Sequence, residues 1–144
     1  MAPLPLALLL LRASRWFDRQ LLDGLQRRGW PALSPAQSLV FAHLDPAGVP
    51  PAELARRLGQ TRQATSELVR GLVHHDLLEV GHNPCRRGGR LVLLTDRGRA
   101  LVRDAGQLLS ELEEGVGADR VAALRTLLDD LERAVPQARP PATR

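Results

Sequence analysis

The arginines of this chain are concentrated in its middle third. Residues 56–103 hold ten arginines and four acidic residues, a net charge of +6, whereas residues 1–55 carry +1 and residues 104–144 carry −3. The whole chain has 144 residues, a net charge of +4 and no lysine. Such a local excess of positive charge is expected where one face of a protein meets a polyanion such as nucleic acid.

Two clusters of side chains within this stretch have the chemistry to contact DNA. The first cluster lies at the expected exposed positions of one predicted helix and consists of Thr61, Arg62, Gln63, Thr65, Ser66 and Arg70. Arginine and glutamine can make paired hydrogen bonds to base edges, and short hydroxyl side chains suit phosphates. The second cluster lies among glycines in a predicted loop and consists of Arg86, Arg87 and Arg90. Such a loop could reach phosphates or the minor groove, where arginine is attracted to the concentrated negative potential.

Other residues capable of chemistry are few and poorly spaced. His74, His75, His82 and Cys85 match no closed zinc pattern, and adjacent histidines point in different directions on a helix. We therefore expect no metal site, although Cys85 among arginines keeps a thiol- or metal-sensing regulator open as an alternative. No nucleophile–base pair, phosphate loop or carboxylate pair stands out, so neither an enzyme nor a cofactor is expected.

Periodicity, capping residues and turn residues predict the elements that carry these clusters, with Ser34 and Thr61 as N-caps and Gly59 at the end of a helix. The predicted helices cover residues 4–26, 35–44, 51–58, 61–75, 96–114 and 119–134, and the predicted strands cover residues 77–80 and 90–94. The third and fourth helices are joined by a turn containing Gly59, a helix-turn-helix that would present the fourth helix to a major groove. Arg97, Arg99 and Arg103 on the fifth helix are expected to face solvent.

The element order predicts a mainly α protein with a small β-hairpin wing. One domain, 1–144, is expected, in which residues 34–95 form a winged helix-turn-helix. Helices in residues 4–29 and 104–135 flank this region, and residues 136–144 are expected to be a frayed tail.

Composition supports a helical, cytoplasmic protein. Hydrophobic residues make up 44% of the chain but aromatic residues only 3%, so leucine, valine and alanine must fill the core, which favours helices. The single cysteine cannot form an intrachain disulfide, which fits a reducing compartment. The opening MAPLPLALLLL is too short to span a bilayer and lacks the positive start of a signal peptide, so no membrane association is expected.

Two segments resemble one protein family. Residues 54–69, LARRLGQTRQATSELV, are similar to the helix-turn-helix of MarR-type transcription regulators, and residues 83–95, NPCRRGGRLVLLT, followed by Gly98, resemble that family's wing. The flanking helices match the family's plan, so the resemblance covers most of the chain. It implies a homodimeric, sequence-specific DNA-binding regulator, often a repressor, with a pseudo-palindromic operator. It also implies a small-molecule effector, which in many members weakens DNA binding.

The resemblance further implies that residues 4–29 and 104–135 are dimerisation helices. The leucines assigned to that interface are Leu8, Leu11, Leu124, Leu127, Leu128 and Leu131.

Four positions depart from the family's usual pattern. The wing has Asn83 and Arg86 where the family has acids, and the second acid normally helps to hold the following arginine, here Arg87. Glu67 lies where a basic or polar residue is common, and Thr65 replaces a usual valine. These departures leave open a second reading, a winged-helix protein-interaction module that does not bind DNA.

Overall fold

The computed structural model describes residues 2–135 as helices joined around one two-stranded hairpin. The elements are α1 (Leu6–Arg27), α2 (Pro35–Ala42), α3 (Pro51–Leu58), α4 (Arg62–His74), β1 (Leu78–His82), β2 (Arg90–Leu94), α5 (Asp96–Val116) and α6 (Ala118–Ala134). Every predicted element is present with bounds within a few residues, so the mainly α class with a hairpin is confirmed. The tail predicted at residues 136–144 lies outside the described residues.

Short-range hydrogen bonds set the ends of the helices around the helix-turn-helix. Ser34 Oγ accepts from the Gln37 backbone N at 3.1 Å, and Gln37 Oε1 accepts from the Ser34 N at 3.0 Å, which closes a capping box at the start of α2. Gly59 ends α3 with φ +64°, a left-handed conformation that favours glycine. Thr61 Oγ1 then accepts from Ala64 N at 3.1 Å and begins α4. The predicted caps are confirmed.

The hydrophobic core lies beneath the helix-turn-helix. Its most deeply buried apolar side chains come from α2, α3, α4, both strands, the start of α5 and the loops beside them, and are Val40, Val49, Leu54, Leu72, Leu77, Leu78, Val92 and Leu101. Within α2, Leu39 is 47% exposed and Val40 alone is fully buried. Burial of Leu72 and Val69 anchors one side of α4 and leaves its opposite side at the surface.

The wing is an antiparallel hairpin tied to the loop before α3. Leu78 pairs with Leu94 at its base and His82 with Arg90 at its open end. Val49 adds a bridge to Val92 through two backbone hydrogen bonds of 3.0 and 2.8 Å. This bridge was not predicted, and it fixes the base of the wing to the segment that leads into the helix-turn-helix.

The start of α5 packs tightly against the turn after α4. Thr95 Oγ1 donates to the Asp76 carbonyl oxygen at 2.6 Å and accepts from Gly98 N at 2.9 Å. A Cβ at Gly98 would lie only 2.0 Å from the Leu77 carbonyl oxygen, so no larger residue fits there without moving the backbone.

The chain divides into two compact units, Met1–Leu109 and Ser110–Arg144, with the division inside α5. Within the second unit, Arg125 donates to both carboxylate oxygens of Glu113 at 2.8 and 2.9 Å. No residue of α6 is buried. Among the described residues, no helix is both long and apolar enough to cross a membrane.

Candidate nucleic-acid interface

The surface of α4 carries most of the residues predicted to contact DNA. Thr61, Arg62, Gln63, Ser66 and Arg70 are exposed, as predicted from their spacing. Their exposure leaves them available to a ligand, whereas their contact with DNA stays a prediction.

Thr65 does not belong to this exposed surface. It is only 2% exposed, because it lies four and seven residues before Val69 and Leu72 on the buried stripe of α4. The prediction that Thr65 is exposed is therefore wrong. Its Oγ1 is buried and forms no hydrogen bond with any described residue.

The wing tip closes on itself through Asn83. Asn83 Oδ1 accepts from Cys85 N at 2.9 Å, and the Asn83 carbonyl oxygen accepts from Arg86 N at 3.3 Å. The Gly89 carbonyl oxygen accepts from Asn83 N at 2.9 Å, and Gly89 N donates to the Arg86 carbonyl oxygen at 2.9 Å. The loop is thus held by backbone groups and one asparagine side chain. The loop therefore closes without the acids that the family has in place of Asn83 and Arg86.

The arginines of the basic stretch fall into two groups, and the first is engaged within the protein. Arg56 pairs with Glu53 on its own helix, whereas Arg57 bridges Glu53, the Asp45 carboxylate at 3.0 Å and the His43 carbonyl oxygen at 3.1 Å. Hydrogen bonds from Arg56 and Arg57 lower the pKa of the Glu53 carboxyl to about 2, and the hydrogen bond from Arg57 holds the pKa of Asp45 below its ordinary value. The Arg57 guanidinium therefore connects α3 with the end of α2, whereas the Arg56 guanidinium is held within α3.

The second group has no such partners and includes every arginine predicted to bind DNA. The guanidinium groups of this second group make no hydrogen bond or ion pair with any residue in 2–135, and they belong to Arg62, Arg70, Arg86, Arg87, Arg90 and, outside both clusters, Arg103. Unpaired guanidinium groups keep their donors and their charge available to an external anion.

One cavity brings α4 and the wing together. It has a volume of about 490 Å³ and lies between the start of α3, the first half of α4 and the hairpin. Five of the nine predicted residues line it, and these are Arg62, Thr65, Ser66, Arg86 and Arg90. Thr61, Gln63, Arg70 and Arg87 do not line this cavity.

Glu67 lies on a different side of α4 from this cavity. It lines a separate open groove with Ser34, Gln37 and Gln60. It forms no ion pair with Arg62, five residues before it, or with Arg70, three residues after it. The rotation of the helix thus separates the Glu67 carboxylate from the arginines that line the cavity.

The histidines and the cysteine do not converge. The His74 and His75 rings lie 5.6 Å apart, and Cys85 is an exposed free thiol at the wing tip. Within residues 2–135, no three histidine, cysteine, aspartate or glutamate side chains are arranged to hold one metal ion.

The leucines predicted to form a dimer interface are exposed in the single chain. Leu8 and Leu11 on α1 are 46% and 48% exposed. On α6, the exposed leucines range from 39% to 64% exposure and are Leu124, Leu127, Leu128 and Leu131. Each helix therefore presents a row of leucines that the rest of residues 2–135 covers only in part.

Sequence reasoning missed a contact at the far end of α4. Arg97 is exposed as expected, but its Nε donates to the His75 carbonyl oxygen at 3.2 Å, and its guanidinium lies 5.2 Å from the centre of the Trp30 ring. No local spacing signals this contact, because Trp30, His75 and Arg97 lie far apart in the chain.

Comparison with protein families matches the centre of the chain. Residues 33–90 match a family model described as the MarR family. An uncharacterized protein of Mycobacterium tuberculosis is 37% identical over 85 residues, which cover 58% of this chain and 59% of that protein. An uncharacterized protein of Mycobacterium bovis gives the same figures. The chain thus spans less than two thirds of the length of the curated relatives that it matches.

Solved structures match over most of the chain. The reduced form of MarR from E. coli has a TM-score of 0.74 and 28% identity, covering 91% of this chain and 98% of that one. A mutant MarR from E. coli complexed with operator DNA has a TM-score of 0.67 and 29% identity, with coverages of 89% and 94%. The transcriptional repressor CouR bound to a 23-mer DNA duplex has a TM-score of 0.66 and 26% identity, with coverages of 89% and 92%.

Proposed function

We propose that this chain, which has the winged helix-turn-helix fold of the MarR family and matches that family's model over residues 33–90, is a member of the family that regulates transcription by binding specific DNA sequences. One observation carries the proposal. The arginines of α4 and the wing are exposed and unpaired, and those at Arg62, Arg86 and Arg90 border one cavity. Two of the similar structures are complexes with DNA, which supports the same function for this surface.

Each part of the surface has its own proposed role. α4 enters the major groove, where Arg62 and Gln63 read base edges through paired hydrogen bonds. Thr61 and Ser66, at the start of α4, contact phosphates together with Arg70. The wing arginines Arg86, Arg87 and Arg90 contact phosphates or the adjacent minor groove. Thr65 is left out of this set because it is buried.

We further propose a homodimer built from the apolar faces of α1 and α6. Exposed leucines at this density are costly in water unless a partner covers them, and a second copy supplies the same faces. A twofold-symmetric dimer would place two copies of α4 about one helical turn apart on a pseudo-palindromic operator. We propose that it acts in the cytoplasm as a repressor, that a small molecule or another signal weakens its DNA binding, and that it has no enzymatic activity.

Selection from a genomic DNA library followed by fluorescence anisotropy tests the DNA-binding function. Wild-type protein should recover specific fragments, and its affinity should fall steeply as salt rises, with a log–log slope of about −0.9 for each phosphate contacted. Arg62→Ala should weaken binding about tenfold or more and relax sequence preference. Arg87→Ala should weaken all sequences alike and reduce the slope by about one unit.

Arg103→Ala is the matched control for these variants. Arg103 is an exposed arginine on α5, outside both clusters, so its removal takes away the same charge without touching the proposed interface. The proposal fails if folded protein retains no DNA at low salt. Wild-type binding with unchanged affinity in both Arg62→Ala and Arg87→Ala would instead favour the protein-interaction module.

A further inference from the structure

The C-terminal end of α4 is held by a cluster of three side chains, Trp30, Arg97 and Asp104. Arg97 Nε donates to the carbonyl oxygen of His75, the residue that caps α4, at 3.2 Å. Its guanidinium Cζ lies 5.2 Å from the centre of the Trp30 ring, within cation–π range. Trp30 Nε1 in turn donates to Asp104 Oδ2 at 2.7 Å. The cluster therefore links the end of α4 to α5 through Arg97, and it links the loop after α1 to α5 through Trp30 and Asp104.

Arg97 suits this place for two physical reasons. The last carbonyl groups of a helix have no partner within the helix, and a positive charge near them is favourable. A planar guanidinium can also lie on an aromatic face while it donates a hydrogen bond, which a lysine ammonium does much less well. The half-buried Trp30 ring, fixed by Asp104, thus limits the positions that Arg97 can take.

The cluster acts at the opposite end of α4 from the residues proposed to read bases. α4 has 13 residues and is therefore about 20 Å long, so a tilt of about 3° about one end shifts the other end by about 1 Å. Paired hydrogen bonds to base edges need close geometric alignment. A small tilt of α4 about its His75 end therefore displaces Arg62 and Gln63 relative to the bases that they are proposed to contact.

We propose that Arg97, held by Trp30 and Asp104, is a positioning residue that sets the orientation of α4 for DNA. This inference rests on the proposed function. In the proposed interface with DNA, Arg97 itself contacts neither a base nor a phosphate. Its loss should therefore reduce the preference for specific DNA over unrelated DNA, and it should leave the salt dependence unchanged.

The test measures affinity for a fragment recovered by the wild-type protein and for an unrelated duplex of equal length. Arg97→Ala should lower specific affinity about tenfold, the low end of what one paired base contact contributes, with unrelated binding within twofold of wild type. Arg97→Lys keeps the charge and should not restore specific affinity. Arg103→Ala removes the same charge from the same helix and should keep the wild-type ratio of specific to unrelated binding.

A fluorescence measurement checks the contact itself. The chain has two tryptophans, so Trp16→Phe leaves Trp30 as the only one. In that background, Arg97→Ala should change the emission of Trp30 and Arg103→Ala should not. Unchanged emission in Arg97→Ala would overturn the proposed cluster.

The remaining outcomes separate this inference from the function on which it rests. If wild-type protein retains no DNA at low salt, the proposed function fails. If wild type binds and Arg97→Ala keeps the wild-type ratio, only the positioning role fails, even where the variant unfolds at lower urea. A salt slope reduced by about one unit in Arg97→Ala would also overturn it, because Arg97 would then be a phosphate contact.

Discussion

Replacing Thr65 by valine should stabilise the protein. The Thr65 side chain is 2% exposed, and its Oγ1 has no hydrogen-bond partner among the described residues. A hydroxyl buried without a partner costs about 1–3 kcal/mol. Valine is close to threonine in shape and is also branched at Cβ, so Thr65→Val removes the uncompensated polar group with little change in packing.

We expect the free energy of unfolding to rise by about 1–3 kcal/mol in Thr65→Val. For a chain of this size each kcal/mol raises Tm by roughly 4 °C. Urea unfolding followed by circular dichroism measures the change, at one fixed protein concentration because a dimer's stability depends on it. Thr65→Ser is the matched control. It keeps the hydroxyl and loses a methyl group, so it should cost about 1 kcal/mol.

Two results would refute this reasoning. A Thr65→Val protein that is no more stable than wild type would mean that the hydroxyl has a partner in the folded state. A large loss of DNA affinity in a stable Thr65→Val protein would mean that Thr65 contacts DNA, as its sequence position first indicated.

Three further changes test other parts of the structure. Gly98→Ala should lower the free energy of unfolding by more than about 2 kcal/mol, measured with urea, because the new Cβ would meet the Leu77 carbonyl oxygen. An unfolding midpoint equal to that of wild type would show that the start of α5 packs less closely against the turn after α4. Asn83→Ala should weaken DNA binding by loosening the wing tip while Asn83→Asp, which keeps the oxygen that accepts from Cys85 N, should not; equal affinities of the two variants would contradict the role of that side chain. Because the pKa of Glu53 is lowered to about 2, its contribution to stability is complete above its unfolded value near 4.5 and is lost as pH falls towards 2. In Glu53→Gln, the free energy of unfolding should therefore depend less on pH within that window, and above the window its pH dependence should match that of wild type.

Features that depend on neighbours along the chain could be predicted. The caps at Ser34, Gly59 and Thr61 act through residues at most four positions away, so their residue types were sufficient. The arginine–glycine loop between two apolar runs indicated the hairpin in the same way. The exposed arginines of α4 followed from helical spacing.

The orientation of α4 about its axis was predicted less well. Helical spacing predicts a buried side made of Ala64, Leu68, Val69 and Leu72. The structure buries Val69 and Leu72 as predicted, but it leaves Ala64 and Leu68 half-buried and buries Thr65 instead. Adjacent residues differ by about 100° around a helix, so a small error in the stripe moves a residue from the surface to the core. The residue type of a threonine does not predict whether it is buried, because its methyl group suits the core and its hydroxyl suits the surface.

The order of the elements, the helix ends and the concentration of arginine in one stretch depend on local spacing and residue type, so they could be predicted from the chain alone. Which arginines are free for a ligand depends instead on the folded structure. Arg57 is engaged by Asp45 and His43, 12 and 14 residues away, and Arg97 lies against Trp30, 67 positions earlier. Such partners meet only when packing of the core brings distant segments together, and no pattern of neighbouring residues specifies that meeting.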